Sequence, residues 1–341
     1  MWKSGFKWMF LIIGTTIGAG YASGRELWQF FGNESGLAIL LFAILFSLSC
    51  YVILQISHEY KSSHYLPVLR IIIGPKLSYI YDGMIMIYLF STTVIMLAGS
   101  GATLEAFHFP FWLGIVVIVI PLILTFVWDI NGVLSLNSLI LPLLIVGLLS
   151  TLLIFSFQEN LSFIPDLSKQ RNWVAAFPFT ALNILPLIAV LGAVGNQTKG
   201  KGELWIASIG SGVILGSISY IYNSSLIQIS DQVLLYEIPL FAILRHYPYV
   251  MFLFVSVMLW LAIFTTAVSG TMGIVTRVRN MFTAPLWVLS AVILLIMVPL
   301  TKIGFSTLIE YLYPLYGILN LYVLSAIILY PIINRYKMEQ K

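Results

Sequence analysis

The first hydrophobic segment carries four glycines within eleven residues, in the stretch GTTIGAGYASG at positions 14–24. Each glycine in a helix interior costs roughly 1 kcal/mol relative to alanine. A bilayer tolerates backbone outside a helix only where its N–H and C=O groups line a cavity or bind a ligand. The stretch therefore predicts two half-helices separated by a break, with a binding site at the break.

Backbone groups at such a break can bind charges of both signs. The amides of the outer half-helix carry partial positive charge, so Gly18, Ala19 and Gly20 are predicted to bind a substrate carboxylate. The carbonyls left free by the inner half-helix, from Gly14 to Ile17, are predicted to bind a cation. The alternative is that the glycines only permit close packing, since small residues four apart are typical of packed membrane helices.

Polar side chains within other segments add candidate ligands. In the eighth hydrophobic segment, residues 249–276, Thr265 and Ser269 share one helix face, with Thr266 beside them. Their hydroxyls are oxygen ligands of the kind that hard cations such as Na⁺ prefer, although membrane helices also use Ser and Thr to bond their own backbone. Four polar residues near mid-membrane are predicted to line a substrate pocket: Tyr88, Ser91, Thr92 and Asn183.

The composition is that of a polytopic membrane protein. The chain has 341 residues, 60% of them hydrophobic and 9% charged, whereas soluble domains carry about 25% charged residues. The net charge of +4 does not indicate a nucleic-acid partner, and the single cysteine excludes a disulfide framework. The sequence has no phosphate-binding loop and no catalytic cluster. We therefore expect no enzyme and no cofactor, apart from a coupling Na⁺.

Segments long enough to span a bilayer, about 20 residues each, occur ten times in the sequence. They cover residues 6–31, 36–57, 76–104, 110–128, 132–157, 174–196, 203–229, 249–276, 285–301 and 306–333. With the N-terminus inside, twelve of the seventeen Lys and Arg residues fall on the inner face. The positive-inside rule then places both termini in the cytoplasm.

The two halves of the chain, 1–173 and 174–341, share one layout of five segments. The sixth segment carries Pro178 and Pro186. Proline near mid-membrane deletes a helix bond, so we predict a second discontinuous helix, with a simple kink as the alternative. An odd number of segments per half makes the second half enter from the opposite side. We therefore expect a single membrane domain built as an inverted repeat.

This layout resembles the LeuT-like fold of the amino acid–polyamine–organocation superfamily. The motif GAGYASGRE at 18–26, followed by FFG at 30–32, resembles the opening of the YkvI-type bacterial membrane proteins. The resemblance implies a secondary transporter in the bacterial cytoplasmic membrane. It also implies a sodium site between the first and eighth helices, which here would use the carbonyls of Gly14 to Ile17 and the hydroxyls of Thr265, Thr266 and Ser269.

The resemblance implies an outer gate as well. LeuT-like proteins close their outer vestibule with an ion pair between the first and tenth helices. Arg25 and Glu310 lie at similar depth in those segments, so we predict that they form this gate. Glu26 is a rival partner for Arg25, and an arginine that only reaches toward the interface is a further alternative. Asp82 is interpreted as an inner-surface residue near Lys76, or else as a proton-titrating group.

These features together predict a secondary active transporter of a small solute, an amino acid or related amine, coupled to Na⁺ or H⁺ by alternating access. The expected partners are that solute and the lipid bilayer. Two alternatives remain open from the sequence. One is a nutrient-sensing receptor subunit with a transporter fold that binds without transporting, and the other is a passive channel.

Overall fold

A computed structural model describes residues 2–33, 35–127, 130–159, 171–245, 247–279 and 284–339, without side chains at 130–141 and 334–339. Within these residues the chain is helical and contains no strand. The helices are α1 (Trp2–Thr16), α2 (Ala19–Ala22), α3 (Arg25–Phe30), α4 (Gly36–Glu59), α5 (Tyr65–Ile73), α6 (Pro75–Glu105), α7 (Phe111–Val127), α8 (Ile130–Gln158), α9 (Ala176–Leu191), α10 (Lys201–Gln228), α11 (Ser230–Val233), α12 (Pro239–Leu244), α13 (Tyr249–Val278), α14 (Leu286–Met297), α15 (Phe305–Leu319) and α16 (Leu321–Glu339). Short 3₁₀ helices occur at Trp173–Ala175, Gly195–Gln197 and Val298–Ile303.

Most of these helices are apolar on all sides. In the described chain, seven helical stretches have at least 18 residues and are apolar enough to cross a membrane. In α4, for example, Phe42 and Phe46 are fully buried while Leu40 and Ile44 are each 57% exposed. A helix that is hydrophobic all round has one face for its neighbours and another for lipid. The protein is therefore a multi-pass membrane protein.

The first hydrophobic segment is broken, as its glycines predict. Helix α1 ends at Thr16, and Gly18 has extended backbone with φ −90° and ψ −175°. Helix α2 then begins at Ala19 and lasts only four residues. A second break follows at Gly24, whose φ of +79° is a left-handed conformation that suits glycine. The segment thus crosses as three short helices that change direction twice.

The sixth segment is not broken as predicted. Helix α9 runs without interruption from Ala176 to Leu191 and contains Pro186. Pro178 lies in the first turn of the helix, where backbone N–H groups lack α-helical partners in any case. Only Pro186 therefore deletes a helix bond, and one missing bond kinks a helix more readily than it breaks one. The prediction of a discontinuous sixth helix is wrong over Ala176–Leu191, where the helix continues through Pro186.

Helix α10 is the scaffold against which the first segment packs. Near its N-terminus, the carboxylate of Glu203 accepts a hydrogen bond from Trp8 Nε1 of α1 at 3.3 Å and from the Lys199 amide at 2.6 Å. Glycines let backbones approach closely along this helix. Gly212 faces Ala43 and Ser47 of α4 so tightly that a methyl group there would collide with both residues.

Replacing Gly212 with alanine should destabilise the protein by about 1–3 kcal/mol, because the added methyl group overpacks the contact with α4. The measurement is the unfolding temperature of the detergent-purified variant. Gly83→Ala is the matched control, since a methyl group on that helical glycine meets no atom within 4 Å among the described residues. Equal unfolding temperatures for the two variants would contradict the close packing of α4 on α10.

Candidate functional site

The outer side of the break is held by hydrogen bonds from other helices. The Tyr222 hydroxyl of α10 donates to the Ala22 carbonyl at 3.0 Å, and the Leu240 amide of α12 donates to the Ser23 carbonyl at 2.9 Å. The Tyr21 hydroxyl lies 2.7 Å from the Ser219 hydroxyl of α10 and is fully buried. The first two contacts satisfy carbonyls that a continuous helix would have paired internally.

Two asparagine side chains likewise donate hydrogen bonds to carbonyls at the outer end of the first hydrophobic segment. Asn172 Nδ2 donates to the carbonyls of Phe30 and Phe31 at 3.0 and 2.9 Å. Asn223 Nδ2 of α10 donates to the Gly32 carbonyl at 2.9 Å and lies 2.8 Å from Ser35 Oγ. The break and both ends of α3 are therefore fixed by side chains that lie far away in sequence.

The backbone amides predicted to bind substrate, those of Gly18, Ala19 and Gly20, differ in their hydrogen bonding. The Gly18 amide already donates to the Thr16 carbonyl at 2.9 Å. Ala19 and Gly20 lie in the first turn of α2, where N–H groups have no intrahelical partner. A methyl group added at Gly18 would meet no described atom within 4 Å, so the backbone here faces open space. Close helix packing does not explain this glycine.

A buried carboxylate lies directly against the break. Glu26 is 5% exposed, and its Oε1 accepts a hydrogen bond from Asn183 Nδ2 of α9 at 3.2 Å. A methyl group added at Gly20 would lie 3.0 Å from Glu26 Oε2 and 3.0 Å from the ring of Tyr313. The sequence indicated Glu26 only as a rival partner for Arg25. Consecutive helical residues point about 100° apart, so Glu26 points toward Asn183 of α9 while Arg25, which is also buried, points toward Glu310.

Aromatic residues complete the surroundings of Glu26. Tyr21, Tyr88 and Tyr313 all lie within electrostatic reach of its carboxylate. The Tyr88 ring packs edge-on against Tyr316 with ring centres 5.2 Å apart. The structure therefore brings Tyr88 and Asn183, two of the predicted pocket residues, to one place, and adds the α15 tyrosines that the sequence pattern did not indicate.

The other two predicted pocket residues lie one turn beyond Tyr88 on α6. Ser91 Oγ is 2.7 Å from the Tyr316 hydroxyl, and Thr92 Oγ1 donates to the Tyr88 carbonyl at 2.9 Å. Both side chains are 9% exposed. Ser91 thus belongs to the aromatic cluster through Tyr316, whereas the Thr92 hydroxyl bonds its own helix.

The predicted sodium ligands of α13 bond their own helix. Thr265 and Thr266 donate to the Ala262 carbonyl at 3.1 and 2.8 Å, and Ser269 donates to the Thr265 carbonyl at 3.0 Å. This is the back-bonding that membrane helices commonly use. Their oxygen lone pairs still suit a cation, so the sodium site stays a prediction together with the carbonyls of Gly14 to Ile17.

At the outer end, Arg25 Nη2 lies 3.8 Å from Glu310 Oε2. The Arg25 side chain is 8% exposed and that of Glu310 is 49% exposed. Arg25 also lies within electrostatic reach of Glu237, whose carboxylate accepts a hydrogen bond from the Ser306 amide at 2.6 Å. The predicted partners are thus brought together, with a second carboxylate that the sequence did not indicate. Their role as a gate stays a prediction.

At the inner end, Asp82 of α6 is paired with Arg277 of α13 rather than with Lys76. Its Oδ1 accepts a hydrogen bond from the Tyr65 hydroxyl of α5 at 2.5 Å. This cluster joins three helices on the side opposite to Arg25. In the part of the chain that the structure describes, no group of three His, Cys, Asp or Glu side chains could hold a metal ion.

The fold and the site define a class of protein, namely membrane proteins with the helical fold of a transporter. The chain is similar to solved structures of the manganese transporter of Eremococcus coleocola. A point mutant of that transporter gives a TM-score of 0.59 at 14% identity, covering 96% of this chain and 85% of that one. Its complex with an aromatic bis-isothiourea substituted compound gives 0.58 at 13% identity, covering 92% and 76%. At this identity the likeness concerns the fold.

Comparison with known sequences then assigns the family, since the chain belongs to the family of the uncharacterized protein YyaD of Bacillus subtilis (strain 168). The two are 49% identical over 337 residues, which cover 99% of this chain and 100% of YyaD. The uncharacterized membrane protein YkvI of the same organism is 23% identical over 328 residues, 94% of each chain. No family model matches the sequence.

Replacing Tyr222 with phenylalanine should cost about 1–3 kcal/mol of stability, because the buried Ala22 carbonyl loses its donor. The measurement is the unfolding temperature of the purified variant. Tyr249→Phe, at a tyrosine that is 67% exposed, is the control and should not change it. If Tyr222→Phe unfolded at the wild-type temperature, the break would not depend on this hydrogen bond.

Proposed function

We propose that the protein is a secondary active transporter that carries a small solute, an amino acid or a related amine, across the bacterial cytoplasmic membrane. The observation that carries this proposal is the break in the first segment, which faces open space at Gly18 and lies beside the buried polar residues Glu26 and Asn183. Broken helices of this kind form substrate sites in transporters. The likeness in fold to a manganese transporter supports transport over binding alone.

Alternating access requires the site to open to one side at a time. We assign the outer closure to Arg25 with Glu310, and the inner closure to Asp82 with Arg277. Both pairs are formed in the structure. The Tyr65 hydroxyl ties the inner pair to α5, so opening inward would have to separate three helices. In this assignment, the binding site at the break lies between the outer pair and the inner pair in membrane depth.

The transport cycle that we propose uses two repeats, 1–173 and 174–341, that move against each other within one domain. Both termini lie in the cytoplasm, as the distribution of Lys and Arg favours. Coupling to Na⁺ would use the oxygens of Thr265, Thr266 and Ser269 together with carbonyls of the first segment. Coupling to H⁺ would need a residue that gains and loses a proton within the membrane.

A panel of amino acids and amines, each with NaCl or KCl, should identify the solute by thermal stabilisation of the purified protein. A ligand that binds the native state raises its apparent stability by mass action. We expect at least one compound to stabilise the protein and then to accumulate in proteoliposomes that contain it. Stabilisation without uptake would contradict the transporter proposal and favour a receptor, and uptake that only equilibrates the solute would favour a channel.

Changing Glu310 to arginine should reduce uptake of that compound at least tenfold, because a cation opposite Arg25 prevents the outer side from closing. Stability should change by less than about 1 kcal/mol, since the side chain that is replaced, Glu310, is 49% exposed. Glu105→Arg, at an exposed position at the end of α6, is the charge-matched control. Uptake at the control's level in the Glu310 variant would exclude this pair as the gate.

A further inference from the structure

Glu26 is a buried carboxylate without a cationic partner among its described neighbours. It is 5% exposed. The adjacent Arg25 is directed at Glu310, and no Lys, Arg or His of the described residues lies within 4.0 Å of the Glu26 carboxylate. An isolated charge in this environment is strongly unfavourable. The carboxylate must therefore hold either a proton or a cation that comes from outside the protein.

The groups that face Glu26 from each neighbouring helix are neutral. Asn183 of α9 donates a hydrogen bond to it. Among the residues that the structure describes, the titratable ones within its electrostatic reach are Tyr21 of α2, Tyr88 of α6 and Tyr313 of α15. The Tyr21 hydroxyl is already engaged by Ser219 and the Leu215 carbonyl of α10. These neighbours offer hydrogen bonds and aromatic rings, and none of them cancels a negative charge.

The break offers open space to a small ligand at Gly18, two residues from the Gly20 that lies against this carboxylate. The backbone at Gly18 borders open space, and at Gly20 it lies directly against the Glu26 carboxylate and Tyr313. Aromatic rings attract cations through their negative faces, and most strongly where water is excluded. A carboxylate beside tyrosine rings is thus a suitable site for an organic ammonium group. A substrate carboxylate on the Gly20 amide would instead meet the negative charge of Glu26.

We propose that Glu26 binds the ammonium group of the solute and carries a proton when the solute is absent. The proposal rests on the proposed transport function and specifies its substrate class and its coupling ion. When the ammonium group enters, the Glu26 carboxyl releases one proton to the aqueous side that is open. The positive charge of the ammonium group replaces that of the proton, so the buried site has no net charge with or without the solute. The amine and the proton then cross the membrane in opposite directions.

The proton can be observed without knowledge of the solute. Infrared spectra of the purified full-length protein near neutral pH should show the carbonyl stretch of a protonated carboxylic acid. That band should be absent in Glu26→Gln, which keeps an oxygen acceptor for Asn183. Glu105→Gln, at an exposed position at the end of α6, is the matched control and should keep the band. A band that persists in Glu26→Gln, or no band in the wild type, would overturn the proposal.

The ammonium site is tested with two series of three matched probes. One series is alanine, ethylamine and propionate, and the other is tyrosine, tyramine and hydroxyphenylpropionate. Amine-containing members of at least one series should stabilise the wild type thermally, and the acid should not. Their affinity should fall at least tenfold in Glu26→Gln and stay unchanged in Glu105→Gln. Stabilisation by the acids alone, by no amine, or equally in wild type and Glu26→Gln would overturn the proposal.

Transport and the ammonium site can fail separately in these experiments. Glu26-dependent amine binding without uptake into proteoliposomes would remove the transport function and keep the site. Uptake that survives in Glu26→Gln would keep transport and overturn the site. An outward proton flux that accompanies amine uptake in wild-type proteoliposomes, and is lost in Glu26→Gln, is the result that supports both.

Discussion

The structure depends on one constraint, which is that backbone polar groups inside a membrane need partners. The first segment gives up helical hydrogen bonds around residues 17–24, and the rest of the molecule replaces them. Tyr222 and the Leu240 amide pair with carbonyls at the break, and Asn172 and Asn223 pair with those beyond α3. Because these donors belong to α10, to α12 and to the stretch before α9, all far from the first segment in sequence, the break exists only in the folded protein.

The charged residues around this break differ in their partners. Arg25 is paired with Glu310 and lies within electrostatic reach of Glu237, and Asp82 is paired with Arg277. The groups at Arg25 and at Asp82 each contain a partner of opposite charge. Glu26 differs because it is buried beside neutral groups. The ion pairs can therefore join helices, whereas Glu26 can bind a solute.

The sequence predicted the features that depend on local backbone chemistry. The glycines indicated the break, and the similar depth of Arg25 and Glu310 indicated their proximity. It failed where the outcome depends on neighbours. The prolines of the sixth segment predicted a break, but Pro178 lies in a helix start where its missing N–H costs nothing, so α9 continues. The burial of Glu26 could not be predicted, because it follows from the direction of α3. The spacing of charges along the chain does not reveal that direction. Glu237 lies in a connection whose path no periodicity describes.

Helix α3 carries Arg25 and Glu26 on six residues, between two glycines with left-handed backbone, Gly24 at φ +79° and Gly32 at φ +51°. A helix this short moves as one piece, and such glycines can act as pivots at its two ends. A rotation of α3 about its axis would therefore turn both side chains through the same angle. Arg25 and Glu26 would move together, so the outer ion pair and the buried carboxylate cannot change their surroundings independently.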